Sequence, residues 1–156
     1  MSDPYQTPAA NIEDDSEQDV VYIGFWLRVA ASIIDSIIVM AVTWPFLLTI
    51  YGKELFDKTS FIHGPAEFLL SYVLPAIAVI LFWIYKSATP GKMAVGAEIV
   101  DAKTLGKPSK GQMIGRYFGY YVSILPLMLG IIWVAFDPRK QGWHDKLAGT
   151  VVIQKR

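Results

Sequence analysis

Arg28 and Asp35 are the charges that break an otherwise apolar run, Phe25 to Ile50, in this 156-residue chain. On a helix, seven residues make nearly two turns, so both side chains share a face and stand ~10.5 Å apart along the axis. Ser32, Ser36 and Thr43 fall within about 80° of Arg28 on the same wheel, at 100° per residue. The run therefore carries a polar stripe that faces protein or water rather than lipid. Counted from Phe25 at ~1.5 Å per residue, Asp35 lies about 15 Å deep, near the middle of a ~30 Å hydrocarbon layer. A charge there costs at least ~2.5–3.5 kcal/mol. Two chemistries justify such a residue. One is a protonatable or cation-binding site for transport; the other is a buried ion network that fixes helix packing. A direct Arg28–Asp35 bond needs both side chains to bend together, so a water bridge or other partners serve as well. Arg28, one turn in, can snorkel to the interface.

The elements that hold these residues are apolar segments. Phe25–Ile50 is the first. Phe68–Tyr85 is the second, 18 residues without a charge, and Tyr117–Phe136 is the third, with 20. Crossing a bilayer takes about 20 apolar residues. A soluble three-helix bundle would show apolar stripes with polar backs. These segments are apolar all round, and each holds an internal proline: Pro45, Pro75 and Pro126. Proline is better tolerated in membrane helices than in soluble ones. Aromatic residues such as Trp26, Tyr51, Tyr85 and Trp133 stand near segment ends, as in interfacial belts.

Composition agrees. Charged residues are 18% of the chain and mean hydropathy is +0.37. Basic and acidic residues are equal at 14 each, which points to no nucleic-acid partner. With no cysteine, disulfides, thiolate metal sites and cysteine nucleophiles are excluded. Only His63 and His144 are histidines, so a zinc site is not expected. No catalytic motif is present, so neither an enzyme nor a cofactor is expected. Residues 1–21 read as a disordered acidic tail, with Asp3, Glu13, Asp14, Asp15, Glu17 and Asp19 among them. It lacks the basic n-region of a signal peptide; as an acidic arm it is also a candidate docking segment.

Lys and Arg are sparse in residues 51–67 and abundant in 86–116 and 137–156. The positive-inside rule puts 86–116 in the cytoplasm and 51–67 outside. The basic C-terminal end then poses a conflict, because a third full crossing would put it outside. Either it lies outside, or Pro126 and Gly130 fold the third segment into a re-entrant pair, residues 110–125 entering and 126–136 returning. Val95–Asp101 and Thr150–Gln154 read as short β-branched strands, with a turn at Leu105–Pro108. Pairing between them needs both ends on one side and favours re-entry. The fold class expected is an all-α membrane protein with two transmembrane helices, a third, re-entrant or spanning, segment and a small cytoplasmic β-hairpin or mini-sheet.

Three motifs in order carry a resemblance. They are Gly24–Arg28 leading to Ile34-Asp35, then Ala88-Thr89-Pro90-Gly91-Lys92 with Val95–Ala102, and finally Phe136–Arg139 with Gly142–Thr150. Over residues 22 to 154 the chain resembles the RDD family of small prokaryotic membrane proteins, named for one Arg and two Asp. The resemblance implies that these are Arg28, Asp35 and Asp145, and it implies a multi-pass protein of a prokaryotic plasma membrane, the inner membrane. Residues 22–156 then form one membrane domain.

Other motif residues have simpler readings. Thr89–Lys92 is a turn with Lys92 facing lipid headgroups, or an anion nest; it is no P-loop. Asp137-Pro138 caps the third segment. His144 is an interfacial side chain, and Asp145 pairs with Lys146, Arg116 or Arg28. The functional expectation is a small transporter with ion or proton coupling through Asp35. Two or three segments cannot enclose a pathway, so a homo-oligomer or another membrane subunit is implied; Ala30, Ala31, Ser32, Gly115 and Gly119 can seat helix contacts. The alternative is a non-transporting subunit or scaffold that recruits a protein partner.

Overall fold

The computed structural model describes residues 20–56 and 64–155. Residues 1–19 of the expected acidic tail and His63 lie outside the described residues, while Val21, expected in that tail, is hydrogen-bonded to Gln154. Helix α1 is Phe25–Tyr51, 27 residues long and unbroken at Pro45. It stops at Gly52, whose φ of 54° only glycine adopts without strain and whose N–H bonds the Leu48 carbonyl. Helix α2 is Pro65–Lys86, starting on a proline that needs no partner for its missing N–H. Pro75 cannot donate to residue 71, and the helix widens into a π-turn at Leu69–Val73 just before it. Both helices are longer than the crossing minimum. Only 6% of the apolar 18-residue window of each is buried, so their side chains face outward onto whatever surrounds the molecule. Water would not tolerate that surface, whereas lipid matches it.

Beyond Ser87 the chain makes a short helix, α3 (Pro90–Ala94), and then strand β1 (Ala97–Asp101). The last strand, β2 (Thr150–Gln154), pairs antiparallel with β1, from Ala97↔Gln154 to Asp101↔Thr150. This is a mini-sheet but no hairpin, because three helices intervene. Strand β1 is shorter than the expected Val95–Asp101, since Gly96 turns with φ 67°. Tyr22 adds a one-residue bridge to Ile153, flanked by Ile23 N–H to Val152 O (2.9 Å) and Gln154 N–H to Val21 O (2.8 Å). The chain just before α1, the strand after α2 and the C-terminal strand are thereby joined. Ile23, Trp83, Ala97, Ile99, Met113 and Val152 form the core behind the sheet.

Between the strands lie α4 (Lys110–Ile124), α5 (Leu129–Ala135) and α6 (Trp143–Ala148). Ser109 and Gln112 cap the start of α4 reciprocally. The expected third segment, 117–136, is not one rod: α4 and α5 meet at a bend of 113°. Pro126 interrupts the helix, and Leu127 and Met128 take left-handed φ values of 53° and 62° to turn the corner. Gly130 makes the fold-back possible, because a Cβ there would sit 2.6 Å from the Ser123 Cα. Helix α6 packs along α4, with Gly119 against the His144 backbone, and ends at Gly149 with φ 63°.

Candidate functional site

Asp145 is the centre of an ion cluster. It sits in the first turn of α6 and is fully buried. Oδ2 accepts from Arg28 Nη1 at 2.6 Å and from the Gly142 N–H at 3.0 Å. Oδ1 accepts from Arg116 Nη1, which also donates to Thr150 Oγ1 at 2.8 Å. Arg28 uses its other arms on backbone carbonyls, Nε on Ile23 at 3.1 Å and Nη2 on Lys140 at 2.5 Å. One carboxylate thus ties α1, α4 and α6 together, although only Nη1 of the Arg116 guanidinium finds a partner. Burial alone would raise the Asp145 pKa, but Arg116 and Arg28 outweigh it and hold the group well below the usual carboxylate range. Its neighbour His144 is 2% exposed and stacks on Tyr120 at 3.9 Å. Burial, against the raising effect of Asp145, pushes His144 down to about 3, so it is neutral.

Asp35 makes a second clamp. Its Oδ2 accepts from Thr89 Oγ1 at 2.5 Å and its Oδ1 from the Gly91 N–H at 2.6 Å. Thr89 is also the N-cap of α3, accepting from the Lys92 N–H. Gly91 is forced by the approach, because any Cβ would collide with the Ala31 carbonyl and come 2.8 Å from Asp35 Cγ. The anion nest proposed for Thr89–Lys92 is therefore real in outline, and its anion is the chain's own Asp35.

Of the alternatives left open for Arg28 and Asp35, the structure shows other partners: each side chain binds residues of another motif. Asp35 is held by Thr89 and Gly91, which follow α2 in the chain, because α3 tucks back against α1. Several expectations need correction. Lys92 is not a surface lysine at the end of a turn: it is 7% exposed, lines a cavity and has its amine 5.8 Å from the centre of the Trp83 ring. His144 is buried rather than interfacial. Lys146 pairs with Asp137, leaving Asp145 to the arginines. Of the stripe, Ser32, Ser36 and Thr43 donate back to the carbonyls of Arg28, Ser32 and Val39 in their own helix. Asp137 follows the end of α5, where its N–H bonds the Trp133 carbonyl, and its Oδ1 accepts from the Arg139 and Gln141 N–H groups of the turn beyond.

Between α1, α2, α3 and α4 lies a cavity of about 400 Å³, with Ser32, Asp35, Trp83, Lys92 and Tyr120 among its walls. Asp35 and Ser36 also line a second cavity of about 390 Å³, further along α1 beside Thr43 and Ser71. Sequence reasoning missed Trp83 and Tyr120 as site residues and counted Arg116 with a loop. The signal for Arg116 was available: a lone charge abutting an apolar run needs a partner.

The family model described as the RDD family matches residues 22–149, which takes in all three motifs and both clamps. The chain belongs to the RDD family. An uncharacterised protein of Rickettsia prowazekii (strain Madrid E), RP437, is 43% identical over 75 residues, 48% of this chain and 41% of that protein. YxaI of Bacillus subtilis (strain 168) is 30% identical over 149 residues, covering 85% of this chain and 97% of its own length. YteJ of the same organism, termed an uncharacterised membrane protein, is 28% identical over 137 residues, 86% of this chain and 82% of that one. No solved structure matches. In this RDD protein the three residues implied by the resemblance, Arg28, Asp35 and Asp145, occupy two separate clamps about α1. Family membership and the uncovered apolar helices together make it a membrane protein.

Proposed function

We propose that this RDD protein is a multi-pass transporter of a prokaryotic inner membrane, in which Asp35 takes up and releases a cation or a proton. The observation that carries the reading is the position of Asp35 in the walls of two cavities. One holds Lys92 and Tyr120, and the other runs beside Thr43 and Ser71 into the apolar part of α1. A carboxylate in the walls of two adjoining cavities is suited to exchange an ion from one to the other. Its present partners, a hydroxyl and one N–H, are both donors that a cation or proton can displace.

The topology proposed with it has α1 crossing outward, α2 returning and α4–α5 as a re-entrant pair. Its support is the sheet, which joins Tyr22, β1 and β2 and so calls for an even number of crossings between them. The excess of Lys and Arg after α2 puts that side in the cytoplasm. With so few helices, a pathway requires a homo-oligomer or a further membrane subunit.

The test is flux. Purified protein is reconstituted in liposomes holding a pH-sensitive dye, and cations are screened against an imposed pH gradient. The wild type should dissipate the gradient with at least one cation, and Asp35→Asn should abolish this while keeping its elution volume. Equal flux in both proteins removes Asp35 from the mechanism. Absence of flux, with a protein partner co-purifying, favours the scaffold reading instead.

A further inference from the structure

The clamps leave a charge unanswered. Lys92 and Asp35 stand in the wall of the cavity between α1, α2, α3 and α4, and the Arg28–Asp145–Arg116 cluster lies beyond that wall, so this part of the described molecule holds three cations against two carboxylates. Asp145 is shared by the two arginines, and Asp35 has its oxygens on Thr89 and Gly91. Among the described residues the Lys92 amine has no hydrogen bond or ion pair; it lies beside the Trp83 ring and lines the cavity. His144 is neutral and contributes nothing. A half-buried cation in excess is stabilised by an anion that enters through the open side of the cavity.

Hydrogen bonding points the same way. Trp83 Nε1 is buried without a partner, and so are Arg116 Nε and Nη2. The Arg116 guanidinium lies behind the cavity wall, 5.4 Å from the Trp83 ring and 5.8 Å from that of Tyr120. The orphans beside this cavity, on Trp83 and Arg116, are donors; the fourth, His144 Nε2, lies away from its wall. Tyr117 and Tyr121, also in the wall, bond each other through their hydroxyls at 3.2 Å, and such a pair keeps one proton for a third group. A surplus of donors and one surplus charge call for an anion with several acceptor oxygens. Water brings acceptors but no charge. Val79 and Ile124 complete the wall, and the apolar flanks of α1 and α4 outside it are exposed.

We infer that this cavity binds a phosphate group, with Lys92 as its cationic donor and Tyr120 as a second contact. The phosphate belongs either to a phospholipid headgroup, whose chains then follow the apolar flanks, or to free inorganic phosphate. Burial lowers the pKa of the Lys92 amine, and a bound anion reverses that by pairing it. The inference stands apart from cation flux through Asp35, since binding and flux are read separately.

The full-length protein is extracted in mild detergent, washed free of loosely held lipid and examined by native mass spectrometry; lipid-free protein is titrated with inorganic phosphate. Lys92→Met is compared with Lys86→Met, a change at an exposed lysine. A phospholipid retained by the wild type and Lys86→Met and lost by Lys92→Met supports the headgroup source. Without retained lipid, phosphate affinity reduced roughly tenfold or more in Lys92→Met alone, the loss of one charge-assisted hydrogen bond, supports free phosphate. Equal retention and equal affinity in all three overturn the proposal, as does a wild type that binds neither. If Lys92→Met does not fold, Tyr120→Phe carries the test, because it keeps the ring stack and removes the hydroxyl. Unchanged binding in that variant overturns the proposal too.

Discussion

Arg28 Nη1 lies 2.6 Å from Asp145 Oδ2, joining the second turn's depth of the first helix to a residue 117 positions later. The same carboxylate holds Arg116 on its other oxygen, so one side chain carries the contact between the long apolar helix and the sheet-side helices.

Asp145→Asn should therefore be severe. It leaves two guanidiniums, with side chains 12% and 0% exposed, facing a neutral amide. Breaking a buried ion cluster from one side costs about 3–5 kcal/mol. The melting temperature in detergent should drop sharply, with aggregation on size exclusion. The double variant Asp145→Asn/Arg116→Met should recover part of the loss, since it removes the most deeply buried uncompensated charge; strict additivity of the two changes would contradict the coupling.

Stability should rise with pH between about 3 and 6.5 through His144. The folded imidazole, down at about 3, refuses a proton that the unfolded chain accepts near 6.5, so acidification pulls toward unfolding across that window. Asp145 acts in the same sense lower down. Its folded form stays ionised while the unfolded carboxylate protonates below about 4, so its stabilisation is present above that and lost as pH falls further. Melting curves from pH 7 to pH 4 test the first window, and His144→Gln should flatten the slope there.

Two glycines should respond oppositely to alanine. At Gly91 the new methyl meets the Ala31 carbonyl and Asp35, and pushing α3 off α1 costs about 1–3 kcal/mol or more. At Gly115, in α4, nothing lies within 4 Å of the added Cβ. Gly115→Ala should be neutral or stabilising by roughly 0.5–1 kcal/mol. Thermal melts of both variants decide it.

Thr89 has two tasks, capping α3 and donating to Asp35. Thr89→Ser keeps both and should behave as wild type. Thr89→Val keeps the shape and loses the hydroxyl, and should destabilise by about 1–2 kcal/mol, the usual loss for a cap. Equal melting of the two variants would show that the hydroxyl contributes little.

The sequence by itself determined the apolar segments, the break near Pro126 and the two strands, because each is written in local periodicity and composition. Second-helix bounds shifted only from 68–85 to 65–86, and the third segment split where Pro126 and Gly130 had marked it. Arg28 and Asp35 were legible too, as charges where apolar surroundings make charge expensive, whereas Asp145 was marked only by the resemblance of its motif to the RDD family. What the tertiary structure alone decided was their partners. Arg28 and Asp35 share a helix face, yet one reaches α6 and the other α3, and nothing in the spacing of a single helix encodes which neighbour arrives. Lys92 looked like a surface lysine beside a turn. It is buried because α3 folds back against α1 and Trp83 covers it, a consequence of packing between elements far apart along the chain.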